Sequence, residues 1–322
     1  MTGFRSLTRR SLVAGAAAAT ALALPRAVAQ AQPRGYDLLP QEVAAGLWMI
    51  TGAPESFARS NGGAIVNIVL LASAEGAIII DTGSTARMGA EIRAFADQRL
   101  GGVARVINTH HHPDHWFGNI AFADRPILAL PATGDLCRRS APDYAASLYA
   151  LLGPWMAGTT PTPPGQRIES DELVIGGRTL RLLALSGHSA ADLVVQDVQT
   201  GVLIAGDLLF LDRAPSFPDA DVARWLRALD RLAGLETSGV VPGHGPFHRS
   251  GAALAQTRQY LELTRDRLDQ AAALGLSPVE AMAAGPAPAF RALGANPEEY
   301  IRTVAQRWAD HERTALPVIG GL

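Results

Sequence analysis

The chain has 322 residues, 48% of them apolar, with 30 acidic side chains against 28 basic ones and a formal net charge of −2. Such a balance argues against a nucleic-acid partner, whose phosphates require a basic surface. One cysteine, Cys137, excludes an internal disulfide framework, and every basic residue is arginine, so any cationic contact to a ligand must use a guanidinium.

The first thirty residues differ in composition from everything after them. Thr8-Arg9-Arg10-Ser11-Leu12-Val13 opens with a twin-arginine pair and runs into an Ala-rich apolar stretch, Leu12 to Leu24. That stretch is shorter than the roughly twenty apolar residues a spanning helix needs. Ala27-Val28-Ala29 then offers the small-x-small pattern of a signal peptidase site. These features predict a twin-arginine signal peptide over 1–29, export of the folded protein to the periplasm, and no stable membrane span in the mature chain. Losing Arg5, Arg9, Arg10 and Arg26, which no acid accompanies, moves the net charge from −2 to −6.

Glycine-bounded apolar runs at 47–51, 67–71 and 77–81 read as strands. They are followed by an amphipathic helix over 84–100 with Met88, Ile92, Phe95 and Ala96 on one face. Val103 to Ile107 is a further short strand, and it leads into Thr109-His110-His111-His112-Pro113-Asp114-His115. Here His110, His112, Asp114 and His115 stand at i, i+2, i+4 and i+5. A helix would set the first two on nearly opposite faces and a strand would turn the last away from the first. Pro113 disfavours helix at His112, so the segment is expected as a tight loop, with a helix opening at Trp116. Clustered imidazoles and a carboxylate near a core need charge partners or a cation.

Beyond it come a strand at 126–130 and a helix over 141–157 with Tyr144, Leu148, Leu151, Leu152 and Trp155 inward. Cys137, apart from every histidine loop, reads as a buried helix residue. The proline-rich 159–165 is an extended linker expected to join two halves. Strands at 172–175, 179–185, 193–198, 202–205 and 239–241 follow. Long helices are expected over 251–274 and 296–315, separated near Pro286 and Pro288. His188, Asp207 and His244 each lie just past a strand end. His248 and His311 read as solvated.

Thr-His-x-His-x-Asp-His, with Ser186-Gly187-His188-Ser189, Ala205-Gly206-Asp207-Leu208 and Pro242-Gly243-His244-Gly245, resembles the signature loops of the metallo-β-lactamase-fold superfamily. The resemblance covers about residues 42 to 250. It implies an α/β four-layer αββα sandwich over residues 30–250, carrying a helical C-terminal extension over 251–322. It also implies a metal centre. His110, His112 and His188 would hold one Zn2+, Asp114, His115 and His244 a second, and Asp207 would bridge the pair. Such a pair can hold a metal-bridging hydroxide as nucleophile, with Asp114 as the catalytic carboxylate that orients it and moves a proton. Asp81 would orient the metal loop from behind. The loop at 52–63, which flaps over the metals in this fold, makes Phe57, Arg59 and Asn61 candidates for contact with a small-molecule substrate. A plain solvated hairpin loop is the alternative. Trp116 and Arg213 join the contact candidates.

Asp207 stands where a true β-lactamase of this fold has cysteine or serine, and no lysine is present to hold a drug carboxylate. The chain looks most like the periplasmic SoxH-related group, the quinoprotein relay system zinc metallohydrolases. That similarity implies association with a quinoprotein dehydrogenase system. The reading is a dinuclear zinc hydrolase of an ester, thioester, lactone or similar bond. The alternatives are a metallo-β-lactamase, a mononuclear iron redox enzyme using His110, His188 and Asp207, or a non-catalytic accessory of a quinoprotein.

Overall fold

The computed structural model describes residues 35–315, and the expected leader at 1–29 lies outside the described residues. Two β-sheets stack face to face with helices on their outer faces, which is the expected α/β sandwich. The first sheet orders β1 (Gln41–Ala44), β2 (Leu47–Ile50), β3 (Ile68–Leu71), β4 (Ala77–Ile80), β5 (Val103–Ile107), β6 (Ile127–Ala129) and β7 (Gln166–Arg167) side by side. It is antiparallel from β1 to β4 and parallel from β4 to β7. The second sheet runs β12 (Gly239–Val241), β11 (Val202–Ile204), β10 (Asp192–Asp197), β9 (Arg178–Leu185) and β8 (Glu172–Ile175), with β11 and β12 parallel and the other pairs antiparallel.

Strand alternation builds two kinds of core at once. Val69, Leu71, Ile78 and Ile80 point between the sheets to meet Leu180, Leu182, Leu193 and Val195. Their neighbours Ile68, Leu70 and Ile79 point outward onto Met88, Ile92 and Ala96 of α1 (Ala86–Arg99). Central strands buried on both faces are why the sequence reads there as unbroken apolar runs. On the far side, Val194 and Leu203 pack against Trp225 and Leu229 of α4 (Val222–Ala233) and Tyr260 and Leu261 of α5 (Ala252–Ala273).

Several expectations change. The metal loop is helical in its second half: α2 (Pro113–Trp116) begins at Pro113, whose missing N–H costs nothing at a first helical position, and a 3-10 turn follows over Phe117–Phe122. Helix α3 (Pro131–Leu152) starts ten residues before the expected Ala141, again from a proline, and keeps Cys137 fully buried. Within it Leu148 and Leu152 are buried but Leu151 is exposed. The linker at 159–165 leads into β7 on the first sheet before the chain crosses to the second. It is pinned there, because Thr159 Oγ1 accepts from Ala86 N at 2.9 Å and Thr162 O accepts from Asn119 Nδ2 at 3.0 Å. The C-terminal helices are α5, α6 (Pro278–Ala284) and α7 (Glu298–Ala315). No helix among the described residues is long and apolar enough to cross a membrane.

Candidate metal centre

Each sheet delivers its side chains from strand ends. The segment after β5 carries His110 to His115, the turn after β9 carries His188, a 3-10 turn after β11 carries Asp207, and the turn after β12 carries His244. All seven expected ligands are buried, none more than 6% exposed. The ligand atoms of His110, His112, His188 and Asp207 lie within 4.8 Å of one another, as do those of Asp114, His115 and His244. Asp207 stands between the groups: its Oδ2 is 3.3 Å from both His188 Nε2 and His244 Nε2, and its Oδ1 is 3.1 Å from His115 Nε2.

The surrounding hydrogen bonds decide which nitrogen each imidazole turns inward. Asp81 has a positive φ of 63°, tolerable for Asp, and its carboxylate works as a fixed acceptor. Its Oδ1 accepts from Thr109 N at 2.8 Å, and its Oδ2 accepts from Thr109 Oγ1 at 2.8 Å and His115 Nδ1 at 2.7 Å. With Nδ1 so engaged, it is Nε2 that His115 turns inward, as a lone pair once its second proton is lost. With its proton given to Asp81, Thr109 Oγ1 can accept from His110 Nδ1 at 3.1 Å, which bares His110 Nε2. His244 Nδ1 donates to Ile65 O at 2.7 Å, so its Nε2 also faces inward.

Asp219 was missed in the sequence. Its Oδ2 accepts from His112 Nε2 at 3.0 Å and lies 3.3 Å from His111 Nε2, so His112 turns its Nδ1 inward, 2.8 Å from His188 Nε2. Nothing in the spacing marks Asp219, because it reaches His112 from a loop on the other sheet's side of the chain. His111, the variable position of the motif, is held by the same carboxylate.

Electrostatics agree with a cation site. Burial pushes His110 and His188 well below the ordinary imidazole value, so both are neutral lone-pair donors. Burial works against charge on His115 too, but Asp207, Asp81 and Asp114 outweigh it and hold its pKa well above that value. Burial likewise opposes charge on Asp207, and His244, His115 and His188 overcome it to hold its carboxyl well below the usual range. The hydrogen bonds from His111 and His112 lower Asp219. His110 Nε2, His115 Nε2 and Asp207 Oδ1 are buried with no hydrogen-bond partner; the 3.1 Å approach of the last two lacks hydrogen-bond alignment. An unsatisfied buried polar atom costs about 1–3 kcal/mol. Several converging on one point are what a divalent cation would satisfy, so these residues fit the zinc ions that the ligand set implies.

A cavity of about 300 Å³ opens beside the cluster, lined by His112, Asp114, Asp207 and His244 together with Phe57, Tyr144, Leu148, Arg213 and Glu299. A larger, shallower groove of about 690 Å³ near Ser186, Arg224 and Arg231 contains none of the clustered ligands. Of the five contact candidates, Phe57 and Arg213 line the cavity, and Arg59, Asn61 and Trp116 do not. Trp116 is fully buried and donates Nε1 to His111 O at 2.8 Å, bracing the loop from the core. Asn61 closes its own turn, accepting from Ala58 N at 3.1 Å and Gly63 N at 2.9 Å. Arg59 packs by Gly153, and its carbonyl accepts from Trp155 Nε1 at 2.9 Å. His248 and His311 sit outside the cluster, the latter 2.6 Å from Asp269 Oδ1.

The comparisons with known proteins agree with this geometry. The model of the Metallo-beta-lactamase superfamily matches residues 61–244. The chain is 28% identical over 199 residues to the hydroxyacylglutathione hydrolase of Thiobacillus denitrificans, covering 61% of this chain and 68% of that protein. It is 23% identical over 243 residues to a linear primary-alkylsulfatase of a Pseudomonas species, covering 62% of this chain but 44% of that one. Among solved structures, a beta-lactamase domain protein from Burkholderia ambifaria aligns with a TM-score of 0.63 at 22% identity, covering 88% of each chain. A metallo-beta-lactamase from Pontibacter korlensis aligns with a TM-score of 0.56 at 24% identity, covering 70% of this chain and 99% of that one; both structures speak to the fold alone. With the family model spanning more than half its length and all the signature side chains gathered at one rim, the chain belongs to the metallo-beta-lactamase superfamily and is a hydrolase of that family.

Proposed function

We propose that this chain is an exported, dinuclear zinc hydrolase that cleaves an ester, thioester, lactone or similar bond in a small molecule. The observation that carries the reading is the convergence of seven buried candidate ligands beside one cavity, of which His112, Asp114, Asp207 and His244 line it. Zinc held there supplies Lewis acidity and a water acidified to neutral pH. His110, His112 and His188 would hold one ion, Asp114, His115 and His244 the other, and Asp207 would span both.

The remaining work falls to the chain's own groups. Asp114 faces the cavity with Oδ2 3.4 Å from His244 Nε2, so its carboxylate stands where a proton can be held and passed toward a leaving group. Phe57 and Leu148 form an apolar wall of the cavity, with Leu151 at its exposed rim. A single iron on His110, His188 and Asp207 would leave His112 Nδ1, 2.8 Å from His188 Nε2, and His244 without a role, which favours two zincs. Aspartate at 207 and the absence of lysine favour a broader hydrolase over a β-lactamase, and two relatives named for hydrolysis point the same way. The Arg9-Arg10 leader supports a periplasmic destination, and the SoxH-like resemblance supports work beside a quinoprotein dehydrogenase system.

The test is metal analysis of the purified protein alongside a panel of ester, thioester, lactone, sulfate-ester and β-lactam substrates. Two zincs per chain with turnover of an ester or thioester, and feeble turnover of penicillins, is the expected result. One iron per chain, or efficient carbapenem hydrolysis, would overturn it.

A further inference from the structure

The cavity is closed on one side by the first turns of α7, which contribute Glu299, Arg302 and Gln306. Glu299 is 1% exposed and Arg213 3%, and Arg213 Nη2 lies 3.3 Å from Glu299 Oε1. Arg302 Nη1 donates to the same oxygen at 3.0 Å. One carboxylate therefore serves two guanidiniums, and one positive charge in this cluster is left uncompensated. The other bonds of Arg213 are long, 3.4 Å to Glu55 O and 3.3 Å to Ala214 O, and its guanidinium lies over the Phe210 ring. Arg302 makes only the Glu299 bond among the described residues. The surplus lies on Arg302, whose side chain is 40% exposed and so can be reached from the cavity it lines, and planar guanidinium donors match a carboxylate or sulfate. Glu299 Oε2 is buried without a hydrogen-bond partner, so the carboxylate holds both guanidiniums through Oε1 alone. Beside them, Phe57, Leu148, Leu151 and Pro218 offer room for an apolar chain.

We infer that this corner of the cavity is a subsite for a small amphiphilic anion, a carboxylate or sulfate on a short apolar chain, gripped by Arg302 and Arg213 while Glu299 holds the two guanidiniums in place. That this anion is part of the substrate rests on the hydrolase reading; its binding does not. Asp114 and Asp207 also face the cavity, and zinc offsets their charge, so the zinc-loaded full chain is the form to test.

Calorimetry with hexanoate, hexyl sulfate and neutral 1-hexanol, on wild type, Arg302→Gln and Arg302→Lys, tests the subsite. At least one anion should bind the wild type ten times more tightly than hexanol, and the stronger of the two identifies the acid group. Arg302→Gln should weaken that anion about tenfold, and Arg302→Lys, which keeps the charge, by less. Unchanged anion affinity in Arg302→Gln would assign the binding to zinc alone and overturn the subsite, as would equal binding of hexanol. Arg302-dependent binding in a protein that turns over no ester would leave the subsite standing and remove the hydrolase reading. Ester turnover with Arg302-independent anion binding would do the reverse.

Discussion

Replacing Asp219 by alanine should loosen the ion assigned to His110, His112 and His188 and leave the other nearly untouched. The carboxylate accepts His112 Nε2 at 3.0 Å and so keeps Nδ1 bare toward His188. Without it, the imidazole proton can sit on either nitrogen and the ring can turn. Removing an outer carboxylate of this kind costs about 10–100-fold in metal affinity, roughly 1.4–2.8 kcal/mol. The Asp219 side chain is 46% exposed, so water takes over part of its role and solvent screens its charge. The low end, about tenfold, is therefore expected. Asp81 supplies the contrast, since its side chain is 3% exposed and it anchors Thr109 as well as His115. Asp81→Ala should approach the hundredfold end at the second ion and lower the melting temperature. Competition against a chromophoric zinc chelator resolves the two stepwise affinities. An Asp219→Ala protein with both affinities at wild-type values would refute the claim that this carboxylate sets the His112 tautomer.

The other predictions probe neighbouring parts of the site. Asp207→Ala should lose mainly the second zinc and several kcal/mol of transition-state stabilisation; a variant retaining both metals and full rate would remove the bridging role. Gly243→Ala should have a similar effect with every ligand intact, because the added Cβ would fall 1.9 Å from Asp207 Oδ1, and normal metal stoichiometry in it would contradict that packing. Zinc affinity at the Asp114, His115 and His244 group should rise with pH. The raised pKa of His115 means it carries a proton until well above the ordinary imidazole value, and zinc must displace it, so affinity climbs about tenfold per pH unit below that pKa. A flat titration between about pH 6 and 8 would count against a charged His115 in the metal-free protein. Changing both Arg9 and Arg10 to lysine should leave the precursor in the cytoplasm, read by fractionation; normal periplasmic accumulation would mean another export route.

The candidate cluster was legible in the sequence in part because metal-competent residue types recur at short spacing, His110, His112, Asp114 and His115 within six positions, whereas His188, Asp207 and His244 were picked out by the resemblance of their loops to those of the superfamily. The buried strands were legible for a related reason, since β3 and β4 are covered on both faces and read as unbroken apolar runs. Short edge strands such as β1 and β7 carry no such pattern; Pro113 leaves His112 extended but opens a helix expected only from Trp116, and Pro131 opens one expected from Ala141. Only the tertiary structure decided the surroundings of the site. Asp219 meets His112 across 107 positions of sequence, and Glu299 reaches Arg213 across 86. Neither has a local signature, because sheet stacking and the return of the C-terminal helix bring them together. The same long-range packing turns Trp116 into the core and Arg59 toward Gly153, and neither lines the cavity beside the cluster. Residue chemistry and the family resemblance named the candidate ligands, and the fold alone determined which carboxylates reach them and which arginines line the cavity beside them.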